Sequence, residues 1–164
     1  VLKEHTGESH RLESFLTVKN INYIDDSKAT NVGATISAIE SFSEPIILIL
    51  GGLTKGQNFC PLNNILKKRS IDLIVFGNNV ELICQSFRNS GLIFEKVSNL
   101  RDAVSLANKI AKNKISISQK NTTKINILLS PACSSLDMFE NYRHRGEEFK
   151  KLVSNDYHGE NLVS

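Results

Sequence analysis

Apolar residues in this chain alternate between short continuous runs and helix-spaced sets. Residues 46–50 are a continuous apolar run, and 71–76 and 125–129 are apolar except at Asp72 and Asn126, the pattern of strands buried on both faces of a parallel sheet. Residues 21–24 and 93–97 are shorter or weaker versions. Between these runs the spacing becomes helical. Leu62, Ile65 and Leu66 share a face within 61–68, and Ala103, Val104, Ala107 and Ile110 share one within 100–111. Residues 34–42, 80–87 and 139–153 predict three further helices. Residues 112–124 predict a polar connection and 154–164 a polar tail. The positions before Ile21 predict a lead-in segment with no element of its own. Strand and helix alternating in this way predict an α/β fold, a mostly parallel sheet with helices on both faces. No repeat or linker marks a second unit, so residues 1–153 are expected to form one domain.

Composition narrows the function classes. At 164 residues, with 40% hydrophobic and 23% charged positions, the chain can bury a sizeable core. Its net charge of +3 is too small for a dedicated nucleic-acid surface but permits local anion sites. The longest apolar run, 45–50, is far too short to cross a bilayer. Cys60, Cys84 and Cys133 form no CxxC pair and no metal-ligand spacing, which fits a reducing cytoplasm. Lys67-Lys68-Arg69 reads as a solvated helix end, where cations suit the helix dipole.

Three polar segments follow strands and are the places where chemistry is expected, because ligands of open α/β sheets bind beyond the carboxyl ends of the strands. Asp25-Asp26-Ser27-Lys28-Ala29-Thr30-Asn31 sits between the 21–24 strand and the 34–42 helix. The same residue types serve equally as a turn and helix cap. Gly51-Gly52-Leu53-Thr54-Lys55-Gly56 follows the 46–50 strand. It satisfies neither the GxxxxGK[ST] phosphate loop nor GxGxxG, which leaves a glycine turn that projects Lys55. Residues 130–142 follow the 125–129 strand and place Ser134 and Ser135 near an expected helix start. Free N–H groups favour anions there, and a cap completed by Asp137 is the structural alternative. Cys133, with no His or Asn beside it, reads as buried packing. Asp26, Lys28, Thr30, Lys55 and Ser135 are expected to converge on one rim of the sheet.

Taken together, several segments resemble the C-terminal domain of the Mur ligase family, above all its D-glutamate-adding branch. They are His10-Arg11-x-Glu13, Asp26-Ser27-Lys28-Ala29-Thr30-Asn31, Gly51-Gly52-x-x-Lys55 and Leu129-Ser130-Pro131-Ala132-Cys133-x-Ser135-x-Asp137-x-Phe139. Asn141 and Arg145-Gly146-x-x-Phe149 follow. The match runs in order over most of the chain, and the second and fourth segments are the most specific. The Asp-Asn-Pro-Arg motif of the diaminopimelate-adding branch is absent.

The resemblance implies a Rossmann-like fold and one domain of a three-domain, ATP-dependent amide ligase of the bacterial cytoplasm. An N-terminal domain would hold the UDP-sugar. A central domain would hold ATP and most of the Mg²⁺ ligands, so this segment is not expected to catalyse alone. The partners implied are D-glutamate, ATP and UDP-N-acetylmuramoyl-L-alanine, with no nucleic acid and no membrane. The resemblance implies nucleotide contacts for His10, Arg11 and Asp26. It implies D-glutamate contacts for Lys28, Thr30, Lys55, Ser135 and Tyr142, the last standing where the family usually has phenylalanine. The residues flanking Lys55 depart from the family's commoner polar or acidic ones. Two alternatives stand beside this reading: a domain of another Mur or folylpolyglutamate-type ligase, and a non-catalytic Rossmann-like module that binds an anion.

Overall fold

The computed structural model describes residues 7–119 and 122–162. Its sheet has six strands in the order β1-β2-β6-β3-β4-β5. They are β1 (Glu13–Val18), β2 (Ile21–Asp25), β3 (Ile46–Gly51), β4 (Asp72–Phe76), β5 (Phe94–Val97) and β6 (Ile125–Leu129). All neighbours pair in parallel except β1 and β2. The helices are α1 (Val32–Glu40), α2 (Leu62–Lys68), α3 (Val80–Gln85), α4 (Leu100–Ile117) and α5 (Tyr142–Leu162).

The apolar runs do what their pattern predicts. Every residue of β3 and β6 is buried, and alternate side chains enter two separate cores. Ile24, Leu48, Leu50, Val75 and Leu128 pack with α1, α2 and α3 on one face. Ile47, Ile49, Phe76, Ile127 and Leu129 pack with α4 and α5 on the other. Helices therefore cover both faces. Among the described residues, no helix is long and apolar enough to cross a membrane. Lys67 and Lys68 do end α2, whereas Arg69 turns back to donate to the Ile39 and Glu44 carbonyls.

Three expectations need correction. Residues 13–18 are not a bare lead-in but an antiparallel edge strand. Lys19 and Asn20 both take positive φ, 46° and 69°, so a two-residue hairpin turn joins β1 to β2. Next, α4 continues to Ile117, consuming half of the expected polar connection; Lys114 on this extra turn pairs with Asp72 at 2.6 Å. Finally, the last helix begins at Tyr142 rather than 139 and runs to Leu162, so positions 154–162 are not a loose tail. The Tyr157 hydroxyl lies 2.5 Å from that of Tyr23, and Asp156 accepts from Asn108 at 2.7 Å, which docks this stretch on β2 and α4. Positions 163 and 164 lie outside the described residues.

Candidate functional site

The strand registers bring the carboxyl ends of β2, β6, β3 and β4 together, with Asp25 and Ile49 both opposite Leu129 and Gly51 opposite Phe76. The segments that follow form one rim and are bonded to each other. Ser130 donates its hydroxyl to Asp26 Oδ2 at 2.7 Å. Leu53 and Ser134 exchange backbone hydrogen bonds of 2.9 and 3.0 Å. Gly52 permits this contact: its φ is +132°, and a Cβ there would stand 2.4 Å from the Ser134 carbonyl oxygen. Thr54 N–H donates to Asn79 after β4 at 3.1 Å. The loop carrying Lys55 is thus stitched beside the one carrying Ser135. Lys55 itself is exposed, at φ 48°, and has no ion-pair partner among the described residues.

The cap reading of the 25–31 run holds for one residue. Asn31 is the cap, accepting from Ala34 N–H at 2.9 Å. The two aspartates are buried and face the loops. Asp25 is fully buried, 2.6 Å from His10 Nδ1, and accepts from Ser27 N–H at 2.9 Å. Burial raises its carboxyl pKa, with the His10 and Ser27 hydrogen bonds opposing the rise. Asp26 accepts from Leu12 N–H at 3.1 Å in addition to Ser130, and burial raises its pKa as well. His10, expected near the nucleotide, is 5% exposed; its ring lies between Asp25 and Glu147. Arg11 is exposed. It and Lys28 both pair with Glu8, and Lys28 also lies 5.9 Å above the Tyr142 ring.

Ser134 and Ser135 do not start a helix. Ser134 bridges to Leu53, residues 135–141 form bends and a turn, and Asn141 Oδ1 caps α5 by accepting from His144 N–H at 2.8 Å. Ser135 is buried, with its carbonyl accepting from Phe139 N–H at 2.9 Å; its hydroxyl has no hydrogen-bond partner among the described residues. Cys133 is buried packing as expected, its thiol pushed up to about 12 by burial.

The residue that holds this corner is Arg145, fully buried. Its Nε donates to Ser27 Oγ at 2.9 Å, Nη2 to the Ser27 carbonyl at 2.7 Å and Nη1 to the Cys133 carbonyl at 2.9 Å. Ser27 Oγ in turn donates a hydrogen bond to the Tyr142 carbonyl at 2.7 Å. Burial pulls the guanidinium pKa down to about 10, still well above neutrality, so the charge persists. Arg145 was identifiable only as part of a motif. Its signal is that it shares the buried stripe of α5 with Phe149, Leu152 and Val153, where an apolar residue belongs.

No protein-family model matches the chain. Curated relatives do. The UDP-N-acetylmuramoylalanine–D-glutamate ligases of Burkholderia cenocepacia (strain HI2424) and Bordetella pertussis (strain Tohama I) are 38% and 36% identical over 152 residues. That alignment covers 93% of this chain and 28% of each relative, at the relatives' C-terminal end. The chain belongs with the C-terminal domains of the Mur ligase family. Solved structures agree on the fold. MurF from Acinetobacter baumannii superimposes with a TM-score of 0.63 at 11% identity, covering 93% of this chain and 32% of that one. Folylpolyglutamate synthase from Mycobacterium tuberculosis, complexed with ADP, gives 0.63 at 12% identity over 89% and 32%.

One cavity of this chain could take an anionic group such as a phosphate. It measures about 330 Å³ and is lined by Arg11, Asp26 and Lys28 over an apolar floor that includes Leu12, Ala34 and Ala38. Two cations suit phosphate oxygens, and each Asp26 oxygen keeps a lone pair beyond the bonds described. Mg²⁺ fits less well. His10, Glu13 and Asp25 offer ligand atoms within 4.8 Å of one another. Lys150 Nζ, however, sits 2.9 Å from both Glu13 oxygens and 3.9 Å from Asp25, so an ammonium already supplies the cation there.

Proposed function

We propose that this chain is the domain that presents the amino acid, and one side of the nucleotide site, in a D-glutamate-adding ligase of peptidoglycan-precursor synthesis. The observation that carries the reading is the bonding of the Asp26, Lys55 and Ser135 segments into one rim, in a chain 36–38% identical to such ligases. Fold alone does not separate this from a folylpolyglutamate-type or another Mur ligase. The sequence identity, which is to the D-glutamate enzymes, favours the former.

In this reading the rest of the ligase, its UDP-sugar and central domains, holds UDP-N-acetylmuramoyl-L-alanine and the Mg²⁺, in the cytoplasm. Bound ATP would supply the phosphoryl group that activates the acceptor carboxylate for attack by the D-glutamate amine. Lys28, Thr30, Lys55, Ser135 and the Tyr142 backbone hold the two D-glutamate carboxylates by charge-assisted hydrogen bonds and so orient the amine. Arg11 and Asp26 face the nucleotide. His10, being buried against Asp25, acts by placing Arg11.

Three outcomes are expected. In the full-length ligase, Ser135→Ala should raise the KM for D-glutamate by about one to two orders of magnitude, the loss of about 1.5–3 kcal/mol for a hydrogen bond to a charged group. Arg11→Ala should chiefly raise that for ATP, since a guanidinium suits phosphate oxygens. Steady-state kinetics with the other substrates saturating decides it; a Ser135→Ala effect confined to ATP would move that hydroxyl to the nucleotide. The 164-residue chain alone, given all three substrates, should release no phosphate above a no-enzyme control. Release well above that control would overturn its role as one domain of several.

A further inference from the structure

One carboxamide fastens three of the rim segments. Gln57 Oε1 accepts from Val32 N–H at 3.0 Å, and its Nε2 lies 3.0 Å from the Ala132 carbonyl oxygen and 3.3 Å from those of Thr30 and Thr54. Thr30 and Val32 follow β2, Ala132 follows β6, and Thr54 immediately precedes Lys55. The loop needs such a fastening. Lys55 at φ 48° is a non-glycine in the left-handed region, which persists only where the surroundings over-determine it. Val32 N–H is also one of the helix-start donors that α1 cannot satisfy internally. The side chain that closes this helix end therefore sets the height of Lys55 above the sheet, and sets it relative to Thr30 and the strand leading to Ser135.

We propose that Gln57 is a positioning residue for the amino-acid site: it touches no substrate but holds Lys55, Thr30 and the Ala132–Ser135 segment at a fixed mutual spacing. The inference rests on the reading that Lys55, Thr30 and Ser135 face D-glutamate. A carboxylate held between groups on separate loops is sensitive to their spacing, and misplacement by about 1 Å can cost on the order of a hundredfold.

The test uses the full-length ligase with Gln57→Met, which keeps the length and loses every hydrogen bond, and Gln57→Glu, which keeps the acceptor for Val32 but turns the donor into a carboxylate oxygen facing three carbonyls. Gln57→Met is expected to raise the KM for D-glutamate about tenfold and leave that for ATP within about twofold. Gln57→Glu should do no better than Met. Lys55→Ala is measured alongside. A raised D-glutamate KM in Lys55→Ala with none in Gln57→Met overturns the positioning role alone. No rise in either variant overturns the reading beneath it. Equal rises for both substrates in Gln57→Met would reduce Gln57 to general structure, and a wild-type D-glutamate KM in Gln57→Glu would refute the assignment of the amide donors; either result overturns the proposal.

Discussion

Arg145→Ala is expected to destabilise the chain by about 3–5 kcal/mol, through the stranded backbone acceptors and the cavity left behind. The side chain is fully buried, and its three nitrogens are each spent on one acceptor: the Ser27 hydroxyl, the Ser27 carbonyl and the Cys133 carbonyl. Truncation leaves two carbonyls in a dry corner without donors. Part of the loss is offset because a buried charge is also removed, which is why the sum of three charge-assisted hydrogen bonds overstates it. Arg145→Met separates the terms, since it fills most of the volume and restores no donor; about 2–3 kcal/mol is expected from the acceptors alone. Arg145→Lys should resemble Met more than wild type, because one ammonium cannot reproduce a fork that spans two loops. Urea unfolding gives the answer as a lower midpoint at an unchanged slope. An alanine variant within about 1 kcal/mol of wild type would mean that the loops after β2 and β6 hold together without the guanidinium.

The consequence reaches the rim. Ser27 lies between Asp26 and Lys28, and Cys133 is two residues from Ser135, so Arg145 sets two site segments from behind. Gln57 links the same two segments, with the Lys55 loop, from the other end. Of the residues expected to meet ligand, Lys55 is exposed and the Ser135 hydroxyl has no hydrogen-bond partner among the described residues, whereas Asp26 is buried and bonded. Of the residues that place them, Arg145 is fully buried and Gln57 half-buried, and each spends its side chain on backbone or hydroxyl groups of these loops. Such a division leaves Lys55 and Ser135 free to exchange partners while their backbone stays fixed.

How much of this was legible in the sequence follows from which forces decide each element. Strands β3, β4 and β6 were plain because both faces are buried, so nearly every position is apolar. Strand β1 was not, because an edge strand is half-covered: every residue but Thr17 is partly buried, and its hairpin turn uses Lys19-Asn20 in place of a glycine-bearing pair. The far half of α5 reads as polar because its anchors are polar, a tyrosine pair and an Asn–Asp bond. At the site, the motif positions were visible, and the structure brings Arg11, Asp26 and Lys28 to one cavity. What sequence could not give was the long-range pairing: that His10 finds Asp25, that Arg145 finds Ser27, and that Gln57 serves three loops. The β1–β2 pairing, with Glu13 opposite Asp25, brings His10 to Asp25, and the sheet order sets β2 beside β6 and β6 beside β3 for the other two.

Gly146 shows how closely that pairing is packed, and Gly146→Ala is expected to destabilise the chain by about 2–4 kcal/mol although alanine is the better helix former. Helix propensity alone would favour the alanine by about 0.8–1.0 kcal/mol at this position within α5. The opposing term is steric. A Cβ on residue 146 would stand 2.3 Å from His10 Nδ1 and 2.6 Å from Asp25 Oδ2, the two atoms that bond each other at 2.6 Å. Both side chains are buried, so neither swings into solvent without taking its neighbours along. Displacing the imidazole removes a charge-assisted hydrogen bond, about 1.5–3 kcal/mol, and overpacking adds about 1–3 kcal/mol. A double-mutant cycle isolates the cause: in a His10→Ala background the alanine at 146 clashes with Asp25 alone, so its penalty should shrink by at least about 1 kcal/mol. The same Gly146→Ala variant of the full-length ligase should raise the KM for ATP, because Arg11 is carried on the segment that His10 anchors. Additive stabilities in the cycle, with an unchanged KM for ATP, would show that the glycine serves the helix rather than the histidine–aspartate pair lying against it.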